Sequence, residues 1–538
     1  MKMKGMTIRT AIRTGLLGIV SGSILCLSVS SATEKPPQLP NPERDTLRFQ
    51  GFETSFQPKL DPAKGEMVFI GQQIFDGLVR LDDNLNIVPD LAEYWNISEG
   101  GRCYTFYLRK GVRFHDGRTL TAADVKFSLE RLLRKDTESP YRQLFLDKVV
   151  GAEDFVRGKT AGVSGFRILD PSIFELEWKY PFVSALSLLS MSFCRVLPME
   201  LVERQGQTFF FHPIGTGPFQ FDLWMRSPQL DIVGVRLLRN PAYHGRKPRL
   251  TAVEYSPYFT SDQFADRDVD IAPFSADLTR LGCQVVEGGA FNISFLVMSC
   301  ANPPFDRTRV RRAMSLAVDK DKLVESASSA AFTVRANHTY IPAKLPGFFP
   351  SIDPGNPDPE RARQILEEEG YFSSKAFPEI LLFIPAAQRM SDAPFIRELI
   401  RQFAVVGVVL APKYFRSYAE MTDMTRPYFV FLEWVMDYPD PENVIQPLFA
   451  KSSPANRITA RFSDVEFERL LESAVLESGR TKRLDLFREM EQILRREVPA
   501  VPLFSFERRL AVQPFIRGLR IPALGAMYID LREVTFVR

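Results

Sequence analysis

The chain has 538 residues, with 45% hydrophobic and 25% charged side chains, which is an ordinary globular composition and excludes disordered and fibrous classes. Its formal charge of +3 comes from the N-terminus: Lys2, Lys4, Arg9 and Arg13 carry four positive charges, residues 1–32 carry no acid, and without them the net charge is −1. A near-neutral chain of about 500 residues needs two or three cores and offers no basic surface for nucleic acid or acidic lipid. Residues 1–32 read as an export signal, with a basic start, an apolar centre over 16–29 and the small residues Ser30-Ser31-Ala32 for cleavage. The apolar centre falls short of the roughly 20 residues of a membrane span. A retained anchor and a lipid on Cys26 are the alternatives; Ser23-Ile24-Leu25 before that cysteine argue against the lipid. The mature chain is therefore expected to begin near Thr33, in the periplasm.

From there the elements follow in order. Residues 33–41 are Pro-rich and predict an extended tether, and 47–52 predict the first strand. Residues 104–108 predict another strand. The turns Arg109-Lys110-Gly111 and His115-Asp116-Gly117 come next, and then a helix capped at Thr121 with Val125, Leu129 and Leu132 on one face. The apolar stretch 186–193 is short and Ser-rich, which suits a packed helix better than a span. Ile214-Gly215-Thr216-Gly217-Pro218 predicts a tight turn before a strand, since Pro218 and Gln220 spoil a phosphate loop. Asp306 is expected to cap a helix whose inward face is Val310, Ala313, Met314 and Ala317. A further helix over 359–369 ends at Gly370, and 464–496 holds two more. Strand and helix signals alternate throughout, so the fold class is α/β.

Cys103, Cys194, Cys283 and Cys300 remain after export, at wide and irregular spacings that imply no framework. Cys283 with Cys300 is the nearest pairing, and free buried thiols are the alternative. No metal site is expected, because none of His115, His212, His244 and His338 pairs at metal spacing. No Gly-x-Ser-x-Gly elbow or His-Glu-x-x-His motif occurs, so no enzyme and no cofactor are predicted.

The segment Trp434-Val435-Met436-Asp437-Tyr438-Pro439-Asp440-Pro441-Glu442-Asn443 carries the strongest functional signal. It follows the apolar run Tyr428-Phe429-Val430-Phe431-Leu432, so Asp437 falls where a strand breaks open between aromatic residues. A poorly hydrated carboxylate seeks a cation, and a ligand ammonium is one. The competing reading is an Asp that starts a turn and bonds its own backbone.

Several blocks resemble the peptide-type solute-binding proteins of bacterial ABC importers, family 5. They are Ile74-Phe75-Asp76-Gly77-Leu78, Leu108-Arg109-Lys110-Gly111-Val112-Arg113-Phe114-His115-Asp116-Gly117, Gly215-Thr216-Gly217-Pro218-Phe219, Asn240-Pro241-Ala242-Tyr243, Pro304-Phe305-Asp306, the stretch around Asp437, and Val498-Pro499-Ala500-Val501-Pro502. The resemblance implies a two-lobed periplasmic-binding-protein fold of type II, with an inserted domain and a hinged ligand cleft. One lobe would comprise 45–66, 170–292 and 505–538, the insertion 67–169 and the second lobe 293–504. It implies that Asp437 holds a peptide α-ammonium, that Trp434 walls the pocket and that Arg389 clamps the carboxylate. It implies a monomer that captures a small peptide and hands it to membrane permease subunits, with no nucleic-acid partner. A carrier of nickel complexes, sugars or another solute on the same scaffold, a secreted hydrolase and a chaperone-like protein are the other readings.

Overall fold

A run such as Tyr428-Phe429-Val430-Phe431-Leu432 is stable only when both of its faces leave water. In the computed structural model this is what happens. The described residues are 45–51, 56–258, 260–289, 291–342, 344–345, 355–386, 393–417, 420–421 and 425–537; the export signal, the Pro-rich tether and Arg389 lie outside them. The strand Tyr428–Val435 lies inside a twelve-stranded mixed sheet, between Ile380–Pro385, parallel to it, and Asn292–Met298, antiparallel. Phe429 and Phe431 join one core with Leu296, Met298 and Leu382, whereas Tyr428, Val430 and Leu432 join the opposite one with Phe295, Val297 and Leu381. This is the two-residue period of a strand covered on both faces. Helices supply the covers. Val310, Ala313 and Met314 pack on one face as expected, and Phe467 and Leu470, with Phe487 and Met490, pack on the other.

The predicted cap at Asp306 is corrected. The helix runs Thr308–Leu316, its cap position is Arg307, and no side chain bonds its first amides. The helix begins one residue later than the spacing suggested, which carries Asp306 out of reach. Thr121, in contrast, caps Ala122–Leu133 as predicted, with the Asp124 carboxylate accepting from the Thr121 backbone N–H at 2.9 Å and hydroxyl at 3.0 Å.

Two lobes share this sheet. The strand Ala500–Val512 pairs near its start with Asn292–Met298 and near its end with Ile271–Pro273, which leads on to Thr46–Gln50 and Ala252–Ser256 in the first lobe. Gln284–Gly288 runs alongside the same end, so a second chain passage leads from one lobe to the other just before Asn292.

The inserted domain has its own four-stranded antiparallel sheet, in the order Ala92–Ser98, Cys103–Leu108, Ile173–Glu177 and Phe166–Asp170. The stretch 186–193 is a packed piece of its core, formed by the short helix Ala185–Leu189 and a turn of 3-10 helix at Ser192–Cys194. This domain is fastened to the first lobe by buried polar contacts. Arg131 donates to both Asp61 oxygens, at 3.1 and 2.8 Å. Gly215 N–H donates to His115 Nδ1 at 3.2 Å, and His115 Nε2–H reaches Gly217 O at 3.1 Å. Burial holds that imidazole neutral by lowering its pKa to about 4. A Cβ on Gly215 would stand 2.0 Å from Ile74 O, so the Gly-Thr-Gly turn is demanded by close backbone approach and not by a phosphate.

All four described cysteines are free thiols, so the free-thiol alternative holds. Among the described residues no helix is long and apolar enough to cross a membrane.

One buried acid carries a pH prediction. Glu491, 1% exposed, accepts from the Tyr340 N–H at 2.9 Å and from the Ile341 N–H at 3.2 Å. Burial pushes its pKa up to about 7 from 4.5, against the pull of those amides and of Arg495. Between these values the unfolded chain has lost the proton and the folded chain keeps it, so this group removes stability as pH rises through that window. The stability of Glu491→Gln relative to the parent should therefore rise from pH 4.5 to pH 7, by up to about 3 kcal/mol. Urea unfolding across that range checks it, and a flat difference would refute the assignment.

Candidate functional site

Asp437 stands where the strand Tyr428–Val435 ends and before the helix Glu442–Phe449 begins. Met436 N–H still pairs with Phe291 O at 2.9 Å, and after it the chain leaves the sheet. The turn that follows is organised by Asp440, whose carboxylate accepts from Glu442 N–H at 2.9 Å. Asp437 is thus relieved of the turn role. Its backbone N–H donates to Asn443 Oδ1 at 2.8 Å, and its carboxylate receives only a long 3.4 Å bond from Asn443 Nδ2. Among the described residues no cation lies within ion-pair distance of it. Burial raises its pKa, and Asn443 offsets only part of that. A carboxylate so placed gains from any cation that arrives.

Two phenols from other parts of the chain lie close enough to feel its charge. Burial raises the pKa of Tyr141, in the inserted domain, to about 12, and the charge of Asp437 contributes. Tyr528, near the C-terminus, is raised by burial and by the same carboxylate. Its hydroxyl also reaches Ser192 Oγ at 3.4 Å and Met191 Sδ at 3.7 Å. Beyond Tyr528 opens a cavity of about 90 Å³, bordered by Gln72, Ser190, Met191, Arg195 and Leu524. Arg195 Nε and Gln72 Nε2 are buried there without hydrogen-bond partners among the described residues. Leu524 packs against both the inserted domain's core and the second lobe's core, so the cavity lies where the parts of the molecule meet.

Trp434 stands at the same strand end as Asp437. It is half-buried against the second lobe's core, opposite Ile293, and its Nε1–H has no hydrogen-bond partner among the described residues. Arg389 lies outside the described residues. Tyr141, Tyr528, Arg195 and Gln72 escaped the sequence reading, since each is an ordinary residue far along the chain from Asp437.

Asp76 and Asp90, both of the same cavity wall, converge with His244, their ligand atoms within 4.8 Å of one another. Burial and repulsion from Asp76 push Asp90 up to about 6, against Arg195. Thr216 and Tyr243 donate to Asp76, and Gly77 N–H donates to Asp90. With Arg195 3.8 Å from Asp90, a guanidinium supplies counter-charge that a metal would otherwise bring. The cluster reads as a joint between the inserted domain and the first lobe.

Two lobes joined by continuous sheet and an inserted domain make the frame of a solute-binding protein; the cavity itself is bordered by the inserted domain and the first lobe, and neither Asp437 nor Trp434 lines it. The family model for bacterial extracellular solute-binding proteins, family 5, matches residues 86–456, and the chain belongs to that family. The chain is similar to heme-binding protein A of Haemophilus influenzae, at 26% identity over 83% of this chain and 84% of that one. It is also similar to the dipeptide-binding protein of Escherichia coli, at 25% identity over 89% and 92%. Among solved structures, the unliganded open form of the periplasmic murein tripeptide binding protein MppA superposes with a TM-score of 0.76, at 20% identity over 92% of this chain and 98% of that one. This last likeness bears on the fold alone.

Proposed function

We propose that the protein captures small peptides between its lobes and hands them to the permease subunits of an ABC importer, as a monomer and without chemistry of its own. The observation that carries this reading is Asp437, a half-buried carboxylate with no cation within ion-pair distance among the described residues, whose charge reaches two phenols from other parts of the chain. A peptide α-ammonium supplies the missing charge. Trp434 is proposed as a wall of the same pocket and Arg389 as the clamp on the peptide carboxylate. Of the boundaries implied by the family resemblance, 293–504 is kept as the second lobe in this proposal, while the insertion, placed by that resemblance at 67–169, is proposed to run on past 169, since Ile173–Glu177 belongs to its sheet and 185–194 to its core.

If lobes close on the ligand, a dipeptide pool at about 100 times its Kd should add about 2.7 kcal/mol to stability. Small-angle scattering should show a smaller radius at the same time. If no peptide pool moves either quantity, the peptide reading fails and a carrier of another solute on this scaffold gains. Export to the periplasm is proposed from residues 1–32, and sequencing the N-terminus of the native protein should give a start near Thr33. An intact Met1 or an acylated Cys26 would contradict it.

A further inference from the structure

The loop that carries Asp437 is also where the second lobe grips the inserted domain. Tyr438, the next residue, is 2% exposed and belongs to the inserted domain's core; no other second-lobe side chain does so among the described residues. Glu442, 3% exposed, accepts from Lys148 Nζ at 3.1 Å and from Arg483 Nη2 at 2.9 Å. Arg483 also holds Asp440 through both of that residue's oxygens, at 2.8 and 2.9 Å, and reaches Ser184 Oγ at 3.4 Å. Lys148 and Ser184 stand on the inserted domain's side of this contact, and Glu442, Asp440 and Arg483 on the second lobe's. Lys148 is itself sequestered, with its ammonium 5.1 Å from the centre of the Phe182 ring. Burial opposes its charge, but Glu442 and Tyr180 outweigh that and raise its pKa.

We infer that Lys148, with Glu442, Arg483 and Tyr438, positions Asp437 for its ligand by pinning the loop 437–443 to the inserted domain. The geometry gives this loop little else that fixes it across the cleft. Asp437 is held by Asn443, and Asn443 N–H is held by Asp440 O at 2.9 Å, so among the described residues the hydrogen bonds that hold Asp437 lie within the loop. The loop in turn is anchored at three points, the buried Tyr438 and Glu442 and the partly buried Asp440. Two of them contact the inserted domain directly, and the third does so through Arg483. Loss of Lys148 leaves Glu442 its bond to Arg483 and removes the ion pair across the lobes, while the Tyr438 packing and the Arg483–Ser184 contact remain. The inference rests on Asp437 being the ammonium anchor.

The test separates the two claims. Hydrogen exchange of the ligand-free protein reports the hold on the loop without any ligand. Lys148→Met should speed exchange of the Asp437 and Asn443 amides by about tenfold or more, the scale of one lost charged hydrogen bond, while Lys148→Arg should keep the parent's rates. Calorimetry with Ala-Ala should then show the Kd of Lys148→Met raised by about tenfold or more, with Lys148→Arg within about threefold of the parent. Unchanged exchange in Lys148→Met overturns the pinning. Faster exchange with unchanged affinity overturns the positioning role and leaves a structural contact only. If the parent does not bind Ala-Ala while Lys148→Met still speeds exchange, the loop hold stands and the peptide reading falls.

Discussion

Asp437→Ala is expected to weaken peptide binding by about two to four orders of magnitude. The reasoning is one of desolvation. An ammonium enclosed between lobes and stripped of its partner carboxylate is a buried unpaired charge, which costs roughly 3–5 kcal/mol. The fold should survive the substitution, because the carboxylate belongs to none of the cores and its hydrogen bond is the long 3.4 Å contact with Asn443. N-acetylated peptides, which lack the ammonium, should bind the parent poorly for the same reason. In the same titrations Arg389→Ala should weaken free peptides more than C-terminally amidated ones, and Trp434→Ala should weaken both alike. Calorimetry decides among these. Binding by Asp437→Ala within threefold of the parent, or equal binding of acetylated peptides, would show that Asp437 is not an amine anchor.

Arg131→Met should cost about 3–5 kcal/mol of stability, the effect of removing one partner from a buried ion pair. Arg131 is 4% exposed and Asp61 0%, and they share two hydrogen bonds at the joint between the inserted domain and the first lobe. The guanidinium also lies 4.8 Å from the Phe210 ring, so the flat, always-charged arginine suits this place better than a lysine would. Without it the Asp61 carboxylate is left in the interior with the Ala63 N–H as a donor at 3.1 Å. Adding Asp61→Asn to the first substitution should recover most of the loss, since the stranded charge, more than the missing bond, carries the cost. Urea unfolding of both variants measures this. A single variant within 1 kcal/mol of the parent, or a double variant no better than the single, would show that the pair is not what fastens the domain.

Where the controlling forces act within a few residues, the sequence alone determined the outcome. Thr121 and Asp124 are three residues apart, and their capping box needs nothing else. The run 428–432 has no polar face to give to water, so burial on both sides followed. Val310, Ala313 and Met314 share a helix face by period, whatever covers them. The ordered blocks from Asp76-Gly77 to the Pro-rich end at Pro502 carried the family and with it the two-lobed fold. Local pattern could not decide between chemically equivalent neighbours. Asp437 and Asp440 are both aspartates in one Pro-rich turn, and only the folded loop made Asp440 the turn former and left Asp437 without a cation among the described residues. Asp306 lost its cap because the helix start moved by one residue. The rest of the site depends on partners separated by long stretches of chain. Lys148 and Glu442 are 294 positions apart, and Tyr141 and Tyr528, which feel the charge of Asp437, come from the inserted domain and from near the C-terminus. A tyrosine or lysine has no local signature for such a meeting, since propensity and periodicity reach only a turn or two. The packing of separate cores against one another brings these residues together.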